Sequence, residues 1–185
     1  HKMGWKGSDT RSVYFEDMYI PKENVLGNPS KGFKQFLRTL TGGRITIGAL
    51  ALGTAQGAYE RALKYSCERE AFGKQINKFQ AISFKLADMA TSIEASKHLV
   101  YNAAYLKDEG EDIIKEAAMA KLFSSEMCMR VTTEAIQVLG GYGYIKEYDV
   151  ERFFRDSKIL EIGEGTSEVQ RIIISREILK NISSV

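Results

Sequence analysis

The sequence predicts a mostly α-helical fold, an antiparallel four-helix bundle preceded by a short β segment. Three observations support this prediction. The 185 residues contain only two prolines, Pro21 and Pro29, so no proline ring interrupts a helix after residue 29. Hydrophobic residues recur with helical spacing along the rest of the chain. The stretches between these segments are short, and short connections place consecutive helices side by side in opposite directions.

The first 29 residues differ from the remainder. Residues 11–20 alternate in part between apolar and polar side chains, with Val13 and Phe15 on one face, which is typical of a strand. Because one or two strands are unstable alone, they need a sheet to join. We therefore expect two parts, a β portion over residues 1–29 and a helical domain over residues 30–185.

The first helix is predicted over residues 32–69. It contains glycines at positions 42, 43, 48, 53 and 57. Each costs about 1 kcal/mol relative to alanine in an exposed helix. We expect most of them to allow close packing between helices; the alternative is the close approach of a ligand.

The second and third helices carry clear apolar stripes. The second is expected to end at the turn of residues 108–112. The third is predicted over residues 112–139, because the glycine-rich run at 140–143 should stop it. Their stripes are predicted to face the core and consist of Ile82, Leu86, Met89, Ile93, Ser96, Val100 and Ala103 in the second helix, and of Ile113, Ala117, Ala120, Phe123, Met127, Val131, Ala135 and Val138 in the third.

The fourth helical region is predicted to be broken. It starts near Tyr148, is interrupted at residues 162–166 and resumes over residues 167–180. Ser167 is the expected cap of the second piece, with Gln170 as its capping-box partner.

Composition removes several classes of function. A net charge of +2 gives no electrostatic indication of a nucleic acid or a membrane surface. The longest apolar stretch, residues 45–55, is far too short for a membrane span. With two histidines and two isolated cysteines, Cys67 and Cys128, a metal site is not expected, and the thiols fit a reducing compartment.

Glu164 is the candidate catalytic residue. It lies between Gly163 and Gly165, inside a break between apolar helical stretches. Apolar surroundings penalise the charged form of a carboxylate and strengthen it as a general base. The flanking glycines would allow a sharp turn and a close ligand. The alternative is an ordinary exposed loop glutamate between two turn glycines.

Several strings, taken together, resemble the C-terminal part of an acyl-CoA dehydrogenase, with short-chain and related bacterial members nearest. They keep the family's order and roughly its spacing. The strings are Gly42-Gly-Arg44, Arg69-Glu-Ala-Phe-Gly73, Phe79-Gln-Ala-Ile-Ser-Phe-Lys-Leu-Ala-Asp-Met89, Ala117-Ala-Met-Ala-Lys-Leu122, Gln137-Val-Leu-Gly-Gly-Tyr-Gly143, Arg155-Asp156 and Glu164-Gly-Thr-Ser-Glu-Val-Gln-Arg171. The resemblance implies that residues 1–29 end a middle β-domain and that a full family member is about twice this length.

The resemblance implies an activity, a cofactor and partners. FAD would lie between the β-domain and the bundle. Glu164 would remove the proton alpha to the thioester of an acyl-CoA, and a hydride would pass to the flavin, leaving a trans-2-enoyl-CoA. Electrons would leave to an electron-transferring flavoprotein. A homotetramer or homodimer is implied, in the cytoplasm of a bacterium or the mitochondrial matrix of a eukaryote.

Site residues also follow from the resemblance, position by position. The implied flavin contacts, some of them across a subunit interface, are Arg69, Phe72, Gln80, Gln137, Val138, Leu139, Gly140, Gly141, Thr166, Ser167 and Glu168. The implied substrate-proximal residues are Thr41, Gly42, Gly43, Arg44 and Gly165, with Arg44 a possible partner of the catalytic carboxylate. Each has an ordinary alternative, such as a helix-end arginine, a surface amide, a helix stop or a cap.

Two positions depart from common family patterns. Gly163 stands where many members have an aromatic residue, which puts the acyl chain length in doubt. Gly43 stands where a minority carries its base, and glycine cannot act as one, so Glu164 is favoured. Two alternatives to a dehydrogenase are a non-catalytic helical oligomerisation module, which would lack flavin absorbance, and an oxidase-like homologue, which would consume oxygen without an added acceptor.

Overall fold

The computed structural model describes residues 1–180 and confirms a mostly α fold. Within these residues the helices are α1 (Gly32–Glu68), α2 (Gln80–Asp108), α3 (Ile114–Leu139), α4 (Gly141–Tyr144), α5 (Val150–Ser157) and α6 (Ser167–Lys180). Strands β1 (Glu70–Ala71) and β2 (Lys74–Gln75) form a small antiparallel pair, with Glu70 opposite Gln75. Short 3-10 turns lie at Lys22–Asn24, Pro29–Lys31, Ile76–Lys78, Lys146–Tyr148 and Lys158–Glu161.

Helices α1, α2 and α3 form the body of the bundle. At one end, Gly48 of α1 lies beside Val100 of α2 and Ala120 of α3. At the other end, Lys85 near the start of α2 forms an ion pair with Glu134 near the end of α3. Helix α2 therefore runs antiparallel to α3 and to α1. The short helix α5 returns along α3 and supplies the fourth position of the bundle, with the hydroxyls of Ser157 and Thr132 within 3.2 Å.

The core lies where the apolar stripes predicted it. Every predicted stripe residue of α2 and α3 is buried except Ile82 and Phe123, which are partly buried. The polar stripe member Ser96 is satisfied by a 2.7 Å hydrogen bond to Ser124. Close packing explains Gly48, where a Cβ would lie 3.2 Å from Val100, but not Gly53, where a Cβ would meet nothing within 4 Å.

The strand predicted over residues 11–20 is not formed, and residues 1–29 contain no strand. No second strand lies beside this segment, so its backbone cannot form a ladder. Val13 and Phe15 are 71% and 74% exposed. The first residues contact the bundle through a 2.7 Å hydrogen bond from the Trp5 backbone N–H to the Asp156 carboxylate and a 3.1 Å hydrogen bond from Arg155 Nη1 to the Met3 carbonyl oxygen.

The cap predicted at Ser167 is wrong by one residue. Thr166 is the cap, because the backbone N–H of Val169 donates to its hydroxyl oxygen at 3.4 Å and that of Gln170 donates to its carbonyl oxygen at 3.0 Å. Ser167 is the first residue of α6. Both side chains are good caps, so composition alone could not separate them. The side chain of Gln170 has another role, described below.

The part of the chain that the structure describes contains no helix with both the length and the apolar character of a membrane span. Residues 1–180 also contain no cluster of three or more His, Cys, Asp or Glu side chains placed to hold a metal ion.

Candidate functional site

Glu164 occupies a strained turn between the last residues of the α5 region and α6. Its φ is +55°, in the left-handed region, and Gly165 follows with φ +91°. Left-handed backbone costs a non-glycine residue roughly 1–2 kcal/mol. Such strain persists only where the surrounding structure holds it, and it concentrates at functional sites.

The Glu164 carboxylate faces Gly43 of α1. A Cβ at position 43 would lie 3.0 Å from Oε2 and 3.3 Å from Cδ of Glu164, so the glycine leaves the room that the carboxylate fills. Oε2 is buried and has no hydrogen-bond partner among the described residues. A buried polar atom without a partner costs about 1–3 kcal/mol, and more when charged. This oxygen is therefore available to a ligand at a price in stability.

The resemblance suggests Arg44 as the cationic partner of this carboxylate. In the structure its side chain is buried. Burial lowers the pKa of its guanidinium, and the charge of Glu164 opposes that shift. Its Nη1 donates to the Thr41 hydroxyl at 3.5 Å, whereas its Nε has no partner within residues 1–180. The two side chains therefore interact electrostatically, without an ion-pair contact within 4.0 Å in the described chain.

Thr41 and Gly42 line a groove at this end of the bundle, and Glu164 is not among the residues that line it. The groove has a volume of about 840 Å³ and carries cationic side chains at its edge, including Lys34 and Lys107. The structure thus brings all five predicted substrate-proximal residues and Glu164 to one end of the bundle.

Two residues beneath the turn were not predicted as site residues. Lys121 of α3 is fully buried, and its Nζ donates to the carbonyl oxygen of Gly165 at 2.7 Å. Gln170 of α6 is also fully buried, and its Nε2 donates to the carbonyl oxygens of Glu164 at 3.1 Å and Gly165 at 2.9 Å. Burial lowers the pKa of Lys121, and nearby Glu161 opposes the shift. In the sequence, Lys121 stood out only as part of the family string at residues 117–122, and Gln170 only as a capping-box partner and as part of the string at residues 164–171.

Thr166, Ser167 and Glu168 follow the turn of Glu164 and Gly165 directly. Together with Glu161 and Ile162 they line a small cleft of about 280 Å³. The hydroxyl of Ser167 is buried and lacks a partner in the described chain. The carboxylate of Glu168 is exposed, and hydrogen bonds from its own backbone N–H and from the Thr166 hydroxyl lower its pKa.

A second cluster lies at the opposite end of α1. Arg69, together with Val138, Leu139, Gly140 and Gly141, lines a cleft of about 510 Å³. The Arg69 guanidinium stands 5.7 Å from the ring centre of Tyr142. Gly140 ends α3 with φ +60°, as the glycine run predicted. Since Arg69 follows Gly43 by 26 residues along one helix, the two clusters are about 39 Å apart.

Three predicted cofactor residues lie outside both clusters. Phe72, at the β1–β2 turn, is 96% exposed and contacts the ring of Phe79 edge-on at 6.2 Å. Gln80, the first residue of α2, and Gln137, near the end of α3, are exposed. All three side chains are exposed, and none of them lines the clefts described above.

Comparisons with known proteins agree with this architecture. Residues 30–179 match the family model "Acyl-CoA dehydrogenase, C-terminal domain". Probable acyl-CoA dehydrogenase YngJ of Bacillus subtilis is 56% identical over 179 residues, which cover 97% of this chain and 47% of that protein. The caffeyl-CoA reductase-Etf complex subunit CarC of Acetobacterium woodii is 51% identical, with 97% and 48% covered.

A solved structure extends the agreement to three dimensions. Butyryl-CoA dehydrogenase from Megasphaera elsdenii superimposes with a TM-score of 0.95 at 51% identity, covering 97% of this chain and 47% of that one. The chain spans about half the length of the relatives that it matches. With a family model over most of its residues and a shared bundle, the chain belongs to the acyl-CoA dehydrogenase family.

Proposed function

We propose that this chain is the C-terminal part of an FAD-dependent acyl-CoA dehydrogenase that converts an acyl-CoA to a trans-2-enoyl-CoA. Glu164 is the base that removes the proton alpha to the thioester. The observation that carries the proposal is the buried Oε2 of Glu164, which faces Gly43 and has no partner in the described chain. A buried acceptor without a partner lowers the stability of the fold. A reaction that uses the acceptor explains why it is kept.

The surrounding residues support this role. An alpha proton is weakly acidic, so the base must be strengthened by loss of water, which a bound acyl-CoA would displace. Arg44 supplies a nearby positive charge without pairing directly with the carboxylate. Its orphaned Nε leaves a donor free for a bound group. Gly43 provides the space in which the carboxylate turns toward substrate.

The residues present fit a bound FAD. When bound, FAD supplies the two-electron chemistry by accepting the hydride from the beta carbon. Thr166 and Ser167, the latter with an unpaired buried hydroxyl, would hold it beside Glu164. Arg69 and the backbone of Gly140 and Gly141 form a cleft with one cation and an apolar floor, which suits a phosphate and its nucleoside.

We also propose a homotetramer or homodimer. The two clusters of one chain are about 39 Å apart along α1, farther than a single dinucleotide reaches. The cleft of Arg69 would therefore serve the FAD of a neighbouring subunit. The exposed Phe72, Gln80 and Gln137 are available for the same contacts.

The electron partner and the compartment remain predictions. The name of the Acetobacterium woodii relative includes an Etf complex, which supports an electron-transferring flavoprotein as the acceptor. The proposed compartment is the cytoplasm of a bacterium or the mitochondrial matrix of a eukaryote. The acyl chain is proposed to be short, in line with the butyryl-CoA dehydrogenase structure.

The test is Glu164→Gln in a full-length protein that carries this chain. We expect turnover of butyryl-CoA to fall by about 10²- to 10⁴-fold while flavin absorbance stays stoichiometric. Glu147→Gln, at an exposed position, is the charge-matched control. Turnover of Glu164→Gln within tenfold of the parent would contradict the assignment of the base, and a parent protein that binds no flavin would contradict the proposed activity.

A further inference from the structure

We infer that Lys121 and Gln170 are positioning residues that hold the turn carrying Glu164, so that its carboxylate faces Gly43. We name this pair, together with the two carbonyl groups that it binds, the carbonyl clamp. The inference rests on the proposed role of Glu164 as the base. It assigns a function to two buried side chains that touch the backbone of the turn rather than the reacting atoms.

The clamp joins three separate elements. Lys121 comes from α3 and Gln170 from α6, and both reach the turn between α5 and α6. The carbonyl oxygen of Gly165 accepts two hydrogen bonds, from Lys121 Nζ at 2.7 Å and Gln170 Nε2 at 2.9 Å. The carbonyl oxygen of Glu164 accepts a third, from Gln170 Nε2 at 3.1 Å. One carbonyl oxygen thus accepts hydrogen bonds from side chains of two different helices.

Packing of the turn requires glycine at position 165 for a reason beyond its backbone angle. A Cβ on Gly165 would lie 2.8 Å from Gln170 Nε2, so a side chain there would displace the amide that binds the turn. The Oε1 atom of Gln170 is buried without a partner in the described chain. The amide nitrogen of Gln170 therefore donates two hydrogen bonds to the turn, while the amide oxygen stays without a partner.

Packing alone does not explain a buried lysine at position 121. Lys121 has a relative exposure of 0%. No carboxylate lies within 4.0 Å of its side-chain nitrogen in the described chain. A buried ammonium loses hydration that a single carbonyl cannot replace. A methionine would fill the same space without that penalty. The retained charge is explained if the bond to Gly165 holds Glu164 in its left-handed conformation.

Loss of the clamp should therefore move the carboxylate. Without the three hydrogen bonds to the carbonyl oxygens of Glu164 and Gly165, the backbone of Glu164 can relax from φ +55° toward ordinary conformations. A displacement of about 1 Å at a reacting group costs on the order of 100-fold in rate. Four of the five substrate-proximal residues, at positions 41–44, lie on α1 outside the clamp, so KM should change far less than kcat.

The experiment uses a full-length flavoprotein that carries this chain, with two clamp variants and one control. Lys121→Met and Gln170→Met keep the volume and remove the donors. Lys115→Met removes a lysine from the same helix whose side chain is 39% exposed and pairs with Glu116. Three quantities are measured: kcat and KM for butyryl-CoA, flavin content, and amide hydrogen exchange in the peptide that covers residues 162–166.

We expect each clamp variant to lower kcat about 100-fold with KM within about threefold. The residues 162–166 should exchange about tenfold faster, while the rest of the bundle exchanges as in the parent. Lys115→Met should match the parent in every measurement. If Lys121→Met fails to fold, Gln170→Met carries the same test.

The outcomes separate the clamp from the role of Glu164. Parent-like kcat and parent-like exchange in both clamp variants would overturn the clamp, even if Glu164→Gln is inactive. Equal losses in kcat and in exchange protection across the whole bundle would also overturn it, because they indicate a general packing role. If Glu164→Gln keeps its turnover, the proposed base is wrong, and faster exchange confined to residues 162–166 would still support the hydrogen bonds of the clamp.

Discussion

The contact between Gly43 and Glu164 gives the sharpest test of the site, through the change Gly43→Ala. The added methyl carbon would lie 3.0 Å from Oε2 and 3.3 Å from Cδ of Glu164. Ordinary van der Waals contact begins near 3.4 Å. The carboxylate must therefore retreat by about 0.4 Å, since the helix backbone at position 43 is held by its own hydrogen bonds.

The size of the effect follows from that displacement. If a 1 Å error in a reacting group costs about 100-fold, a 0.4 Å error costs about sixfold in kcat, or about 1.1 kcal/mol in the barrier. Stability should move in the other direction. Alanine is favoured over glycine by about 1 kcal/mol inside a helix, although crowding against Glu164 offsets part of this gain.

The same helix offers a matched control at Gly53. A Cβ there would meet nothing within 4 Å. Gly53→Ala should therefore raise the free energy of unfolding by about 0.5–1 kcal/mol with kcat unchanged. Both variants are assayed in a full-length flavoprotein with butyryl-CoA and an artificial electron acceptor, normalised to flavin content, with thermal melts alongside.

Two results would refute this reasoning. Gly43→Ala with the kcat of the parent would mean that the carboxylate does not work from the position facing Gly43. An equal loss of activity in Gly53→Ala would mean that helix stiffness, rather than the contact with Glu164, sets the rate.

Three further predictions concern other residues. Gly165→Ala should lower the free energy of unfolding by at least about 1 kcal/mol in urea melts, because its φ is +91° and Gln170 fills the space; an unchanged midpoint would contradict this. Burial raises the pKa of Cys128 to about 12, so a thiol reagent at pH 7 should label it only after unfolding, with Cys67→Ser removing the exposed thiol as control. The Arg155 guanidinium holds the pKa of Glu151 below its usual range, so that pair stabilises the fold above about pH 4.3 and is lost as pH falls further. Glu151→Gln should cost about 0.5 kcal/mol at pH 7 and almost nothing near pH 2, measured as melting temperature against pH; an equal cost at both values would contradict it.

Periodicity was sufficient to predict the bundle. The steps of three and four residues from Leu86 to Ala103 identified the buried face of α2, and the glycine run at 140–143 identified the end of α3. These signals are local, because they depend on the helical repeat and on one backbone conformation. The prediction of a strand at residues 11–20 was wrong, because a strand needs a partner and no other strand lies beside this segment in the described residues.

The candidate site was predictable only in part. Glycine neighbours and apolar flanks made Glu164 a candidate but left the exposed-loop alternative open, and the resemblance to a family is what favoured it as the base. The proximity of Gly43 to that carboxylate joins residues more than a hundred positions apart, and only the resemblance to a family suggested it before the structure placed them together. The burial of Lys121 could not be predicted, because a lysine beside an apolar stripe normally keeps its charged end in solvent.

The clamp and the contact with Gly43 both constrain Glu164. Lys121 and Gln170 bind the backbone of its turn, and Gly43 leaves the space that its carboxylate fills. Each feature costs stability: a buried ammonium, a left-handed glutamate and a glycine inside a long helix. Packing alone would favour an apolar residue at 121, and helix propensity alone would favour alanine at 43. Because these three costs converge on one unpaired carboxylate oxygen, they are better explained by the chemistry proposed for Glu164 than by the fold.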